Sequence, residues 1–171
     1  MKKVLSRFTS VSDVFLALRV LGWALVLPIL KHVVPVRRLA AVMHLAPRPD
    51  PRNFPREDRI VTFARWGARL IRWKSGGNCL ERGLIAYRYL GQAGAKPTLV
   101  VGLSASEKTA IVGHAWVLVD GHPAGESRAS IALYTPVFAF DDHGTLIAAP
   151  PDVRAPSPGG TIARADGPRL T

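Results

Sequence analysis

An α+β fold is predicted for this chain on three observations. The first half is rich in apolar residues at helical spacing and leads to a helix that restarts at the chain's one cysteine, Cys79. Residues 98–147 instead break into short apolar runs separated by turn residues. Strands and helices do not alternate, which disfavours a doubly wound parallel sheet and favours helices packed on an antiparallel one.

The elements follow in order. Residues 13–27 read as a helix, with Ser12 as its cap and Val14, Ala17, Leu18, Leu21 and Leu25 on one broad face. Pro28 is expected to kink or end it, because proline lacks the N–H that the helix needs. A second helix is expected over Val36–His44, carrying Arg37 and Arg38. Closely spaced prolines make residues 47–55 a linker. Residues 56–73 form an amphipathic helix, with Ile60, Phe63, Ala64, Gly67, Leu70 and Ile71 inward and Arg59, Arg65, Arg69 and Arg72 mainly elsewhere, on a basic face that reads as solvated surface with a substrate-binding face as the alternative. Ser75-Gly76-Gly77 interrupts it, and the next helix runs from near Cys79 to about Leu90.

Strands are expected at Thr98–Leu103 and Ile111–Val119. Asp120-Gly121 is a strong turn signal, so residues 122–128 should return antiparallel. Ile131–Tyr134, Val137–Phe140 and Thr145–Ile147 read as further short strands, the last two joined through Asp141-Asp142-His143-Gly144. The chain thus divides into an N-terminal helical extension (1–55), a core (56–149) and a Pro/Gly-rich tail (150–171) with too little to bury to be held rigid.

Charge is uneven along the chain. Of the formal net charge of +11, residues 1–74 hold 15 Lys/Arg against 4 Asp/Glu, whereas the remainder is balanced at 8 against 8. Such a field attracts acidic peptides, acidic partner proteins or anionic membrane surfaces. No nucleic-acid-binding signature accompanies it, so no nucleic-acid partner is expected. Residues 20–30 form an uninterrupted apolar run between Arg19 and Lys31, short of the roughly 20 residues a membrane span requires. A buried or surface-docked helix, an interfacial membrane contact, and a true span or secretory signal all stay open for it. A single cysteine rules out an intramolecular disulfide framework and fits a cytoplasmic location.

Cys79 and His114 are the residues on which chemistry can be built. A cysteine in the first turn of a helix lies near unpaired backbone N–H groups and the positive end of the helix dipole, which stabilise a thiolate. Asn78 is placed to cap that helix and to help orient an attacked carbonyl, and the N–H of Cys79 to donate to an oxyanion. The plain alternative is a buried apolar cysteine without a role. Along the strand, His114, Trp116, Leu118 and Asp120 share one side and Ala115, Val117 and Val119 the other. An imidazole opposite the helix end would take the thiol proton and return it to a leaving amine. Trp116 reads equally well as a cleft wall and as a core aromatic.

A third group should orient the imidazole. Asp120 shares the face of His114 but lies about 20 Å along an extended strand. A three-residue connection, Asp120-Gly121-His122, would oppose Val119 to Pro123 and Trp116 to Glu126, bringing Glu126 to the histidine's face. A two-residue turn would send it to the other face, so Glu126 is preferred over Asp120 only in that register. The remaining histidines have no established zinc spacing, and no phosphate or dinucleotide fingerprint is present, so neither metal nor cofactor is expected.

The motifs Cys79-Leu80-x-Arg82-Gly83-Leu84, Leu99-Val100-Val101-Gly102-Leu103 and Gly113-His114-Ala115-Trp116-Val117-x-Val119-Asp120-Gly121-x-Pro123, with an acidic residue at 126, resemble the lasso peptide biosynthesis B2 proteins. Those are stand-alone leader peptidases of the transglutaminase-like cysteine protease superfamily. Arg65-Trp66-Gly67 and the early apolar–basic helices are similar too, and the likeness covers roughly residues 10–130.

The resemblance implies a transglutaminase-like or papain-like core with Cys79 as nucleophile, His114 as base and Glu126 as orienting group. The family often has Asp in the third role. Residues 108–113 also depart from the family's common phenylalanine-containing version. The implied activity is removal of the leader from a ribosomally made precursor peptide, alongside a separate B1 leader-recognition protein and a macrolactam cyclase. The basic N-terminal half would then contact the B1 protein or an acidic leader. A transglutaminase-like acyl transferase and a non-catalytic peptide- or membrane-binding scaffold are the alternative functions.

Overall fold

The computed structural model of the protein describes residues 11–45, 51–70, 78–105 and 111–150. Four helices come first: α1 (Val11–Val33), α2 (Val36–Met43), α3 (Phe54–Leu70) and α4 (Cys79–Gln92). Strands β1 (Pro97–Ala105), β2 (Ile111–Val119) and β3 (His122–Pro123) follow, then the short helix α5 (Arg128–Ile131), β4 (Thr135–Phe140) and β5 (Leu146–Ala148). The strands form one antiparallel sheet in the order β3-β2-β1-β4-β5. The architecture is α+β, with helices α1–α4 packed against this sheet.

Helix α4 lies on β1 and β2, α3 packs on α4, and α1 covers α3 and α4. Leu27, Leu39, Met43, Ile60, Leu84, Ile85, Leu90, Leu99 and Phe140 are fully buried in this main core. Strand alternation divides β2 between two environments. Val117 and Val119 point into the helical core, whereas Trp116 and Leu118 join Val100, Ile131 and Ala139 on the far side of the sheet.

Two glycines set how closely these layers approach. A Cβ on Gly67 of α3 would lie 3.0 Å from Val20 Cγ1 of α1. One on Gly83 of α4 would lie 3.1 Å from Leu99 Cδ1 and 3.7 Å from the Ala115 carbonyl oxygen. Buried charge also ties α1 down. Asp13 accepts from Arg59 of α3 at 3.0 and 3.1 Å, and Lys31 pairs with buried Glu81 of α4 at 2.7 Å. Removing the basic partner leaves a buried carboxylate with less to offset its charge, which destabilises the packing of α1.

Several boundaries differ from the sequence expectations. Helix α1 continues through Pro28 to Val33, and Ser12 lies within its first turn. The hydrogen bond lost at Pro28 is offset by packing of the flanking turns, with Leu27 fully buried and Lys31 held by Glu81. The expected linker ends early. Asn53 caps α3 by accepting from the Arg56 N–H at 3.0 Å, and Pro55 stands in the first turn, where its missing N–H costs nothing. Residues 47–50 of that linker, residues 71–73 of the expected helix, the Ser75-Gly76-Gly77 break and residues 151–171 of the tail lie outside the described residues.

The antiparallel return after Gly121 is only two residues long. The strand expected at Ile131–Tyr134 is the end of α5 and a turn, because Ser127 caps a helix by accepting from the Ser130 N–H at 3.1 Å. Asp141 closes the β4–β5 turn by accepting from the N–H groups of His143 and Thr145.

Gly102 pairs with His114 across β1 and β2, where the β1–β4 register shifts. A Cβ there would lie 2.8 Å from the Thr135 carbonyl oxygen and 2.8 Å from Trp116 Cη2. Gly102→Ala is expected to destabilise the fold by about 1–3 kcal/mol in denaturant titration, the usual range for overpacking.

Candidate active site

Cys79 is the first residue of α4, so its N–H has no partner within the helix. Asn78, expected as a cap, makes no side-chain capping bond; its amide instead donates to the Ala68 carbonyl near the end of α3. The Asn78 carbonyl accepts the first helical bond, from Arg82 N at 3.1 Å. Asn78 therefore ties α3 to the start of α4.

The short β3 shapes the other wall. It pairs with β2 at Leu118 and Val119, and among the described residues no strand lies on the β2 edge around Gly113–Ala115. The start of α4 meets that edge, and Cys79 Sγ stands 3.9 Å from the Gly113 carbonyl oxygen. Gly83, one turn along α4, is what lets the helix lie so close to Ala115.

The β2–β3 connection is the two-residue turn, pairing Val119 with His122 and Leu118 with Pro123. Both central residues are left-handed, Asp120 at φ 52° and Gly121 at φ 72°, as this tight hairpin requires. The three-residue register is thereby overturned. Glu126 nonetheless reaches His114, because the chain follows the β2 edge only as far as Ala124, whose N–H donates to Val117. It then turns away at Gly125, which has φ 78°. A Cβ on Gly125 would lie 2.3 Å from Val61 Cγ1, so both conformation and space demand glycine.

The imidazole Nε2 of His114 is 2.8 Å from Glu126 Oε2, and Arg82 Nη2 donates to Glu126 Oε1 at 2.5 Å. With Nε2 engaged, Nδ1 is the ring nitrogen left for the thiol. Tyr134 stacks on His114 with ring centroids 4.6 Å apart, and Trp116 stacks at 5.9 Å. Trp116 is almost wholly buried, so it backs the imidazole as a core residue. Asp120 is committed elsewhere, pairing with Arg52 at 2.5 Å, while Arg52 also holds Glu57.

These contacts polarise the site. Burial pushes the Cys79 thiol up, but the hydrogen bond to His114, the Ala115 N–H, the imidazolium charge and the Leu80 N–H outweigh it, leaving the thiol more acidic than usual. His114 is pushed up to about 9, first by its hydrogen bond to Cys79 and then by Glu126, against the opposing effect of burial. Burial also raises Glu126, yet His114, Arg82 and Arg65 together hold it below the usual carboxylate range. These contacts favour the ionised thiol, the protonated imidazole and the ionised carboxylate.

A cleft of about 750 Å³ opens against His114 and Glu126, lined also by Arg65, Arg82, Ser127, Ser130, Leu133 and Tyr134. Among the described residues, no three His, Cys, Asp or Glu side chains are grouped to hold a metal ion. Two contributors escaped the sequence reading: Arg82 as the partner of Glu126 and Tyr134 as the stacking ring; Arg65, on the basic face of α3 for which substrate binding was one reading, also lines the cleft. Arg82 was within reach, since it lies three residues after Cys79 and so shares its side of α4.

Helices packed on a five-stranded antiparallel sheet, with Cys79, His114 and Glu126 near their junction, form a transglutaminase-like core. The description "Transglutaminase-like superfamily" matches residues 17–139, and the chain belongs to that family, with which lasso-peptide B2-type proteins are associated. Comparison with curated proteins and with solved structures gave no match.

The thiol's acidity can be read directly from alkylation by iodoacetamide as a function of pH. Wild-type reactivity is expected to reach half its plateau below the ordinary thiol value, because deprotonation yields a paired thiolate. His114→Ala should move that midpoint upward, since burial persists while the imidazole's contribution is lost. An unmoved midpoint would show that His114 does not act on the sulfur.

Proposed function

We propose that this protein is a cysteine peptidase that removes the leader from a ribosomally synthesised lasso precursor peptide. It would act with a separate B1 leader-recognition protein and ahead of a macrolactam cyclase. The observation that carries the proposal is the hydrogen-bonded Arg82–Glu126–His114 chain ending beside the acidic thiol of Cys79. Family membership supports the direction of the reading, and the B2-like motifs supply the substrate class.

In this mechanism Cys79 attacks the scissile carbonyl as a thiolate, so no proton need be removed at that moment. The N–H of Cys79, unpaired at the helix start, is the donor nearest the developing oxyanion. The amide C–N bond breaks as His114, already protonated, delivers its proton to the leaving core-peptide amine. Water then attacks the thioester, with the now neutral imidazole as base, and release of the leader acid regenerates the thiolate. Glu126 fixes the ring orientation throughout, and Arg82 holds Glu126.

Arg65 and Arg82 give the cleft positive charge suited to an acidic stretch of leader or partner. Arg69 of α3 lies further along the same helix, while Arg72 is outside the described residues. Neutralising Arg65, Arg69 and Arg72 together should lower stimulation by the B1 protein while leaving the fold intact by circular dichroism. Unchanged stimulation would remove these arginines from partner recognition.

Mass spectrometry of the precursor incubated with this protein and its B1 partner tests the reaction. Wild type should yield free core peptide, and Cys79→Ala none; equal cleavage by the variant would sink the peptidase reading. A mass matching an amine adduct instead of the hydrolysed product would indicate acyl transfer. Glu126→Gln should retain the thiol but lower kcat by about 10²-fold or more, within the range of general acid–base contributions. The pH profile of kcat/KM should rise as the acidic thiol ionises and fall as pH passes through the His114 value of about 9, because the proton needed by the leaving amine is then lost.

A further inference from the structure

We propose that the outer face of α1 docks on an anionic lipid bilayer, lying in the plane of the interface rather than crossing it. The face that α1 turns away from the protein is mostly apolar, with Arg19 and His32 exposed along its edges. Phe15, Leu18, Leu25, Val26, Ile29 and Val33 recur at helical spacing, and each is between 45% and 72% exposed. Isolated apolar residues on a surface are ordinary, but a continuous stripe of this length marks a contact surface.

Length and composition alone would let this helix cross a membrane, since its 23 residues contain a window of mean hydropathy 2.0. Its other face forbids that while the protein stays folded. Leu16, Val20, Ala24 and Leu27 are core residues, and the Asp13–Arg59 and Lys31–Glu81 pairs hold the helix to α3 and α4 near both ends. Moving α1 into hydrocarbon would empty the core and separate both pairs. An amphipathic helix lying in the interface buries only the stripe, and the protein serves as its polar side.

Charge selects the occupant. Arg19 is exposed at one edge of the stripe, and Trp23, one turn later on that flank, carries Arg88 over its ring at 4.9 Å. Arg88 donates to the Val42 carbonyl of α2, whose Arg37 and Arg38 are exposed. Cations beside an apolar stripe suit phosphate headgroups above acyl chains. A second copy suits the stripe less well, because each chain has a formal net charge of +11 and two would repel.

Co-sedimentation of the full chain with vesicles tests this independently of peptidase chemistry, since Cys79→Ala should bind as wild type does. Wild type should pellet with phosphatidylcholine–phosphatidylglycerol vesicles, more weakly with pure phosphatidylcholine, and less as salt is raised. Leu18→Glu/Leu25→Glu, substituted at exposed positions, should keep its circular dichroism spectrum and lose about tenfold or more in partitioning. Arg19→Gln should weaken only the salt-sensitive part. The proposal is overturned if folded wild type ignores both vesicle types, or if the double variant binds as well as wild type. It is equally overturned if wild type is a dimer in sedimentation velocity that the double variant dissociates while lipid has no effect.

Discussion

A thiol on a helix and an imidazole on a strand can meet only if the helix backbone comes almost onto the sheet, and the contact of α4 with β2 at Gly83 and Ala115 provides that approach. The rest of the molecule is arranged around it. Helices α1 and α3 press α4 from behind, with Leu84, Ile85 and Leu90 fully buried between the layers. Asn78 fixes where α4 starts, through the Ala68 carbonyl, and so fixes the height of the sulfur along β2. The shortness of β3 matters as much, because a longer partner would occupy the edge where Cys79 lies.

The electrostatics build outward from that contact. A half-buried carboxylate without partners would draw a proton and cease to orient anything. Glu126 has one oxygen for Arg82 and the other for His114, so the guanidinium keeps it ionised while the imidazole is held on one nitrogen. Stacking on Tyr134 restrains the ring in the remaining direction. Arg82, Cys79 and Asn78 all belong to a single turn at the start of α4, which couples the thiol to the carboxylate through one rigid segment.

Much of this was legible in the sequence because it rests on local rules. The cysteine at a helix start follows from the glycine-rich break, the hairpin from Asp120-Gly121, and the two faces of β2 from strand alternation. The approach of Glu126 to His114 was reached through the wrong register. What brings them together is a left-handed Gly125 packed beneath Val61, a tertiary constraint with no local signature beyond the glycine itself. The continuation of α1 past Pro28 to Val33 and the helical character of Arg128–Ile131 were missed for comparable reasons: packing overrides a lost hydrogen bond in the first, and a serine cap decides the second. The apolar run of α1 was visible, but its division into a buried and an exposed face depends on where α3 and α4 lie.

The solitary thiol has a consequence for redox life. A sulfur held as thiolate is also the form that peroxides oxidise, and the first product, a sulfenic acid, is rescued most readily by a neighbouring cysteine that closes a disulfide. None of the other residues of this sequence can do so, because Cys79 has no companion thiol. Recovery must come from a small-molecule or protein thiol that can reach Cys79. Otherwise oxidation proceeds to the sulfinic acid, which in general is not reversed. The polarisation that makes the sulfur reactive thus ties its working lifetime to the reducing power of its surroundings.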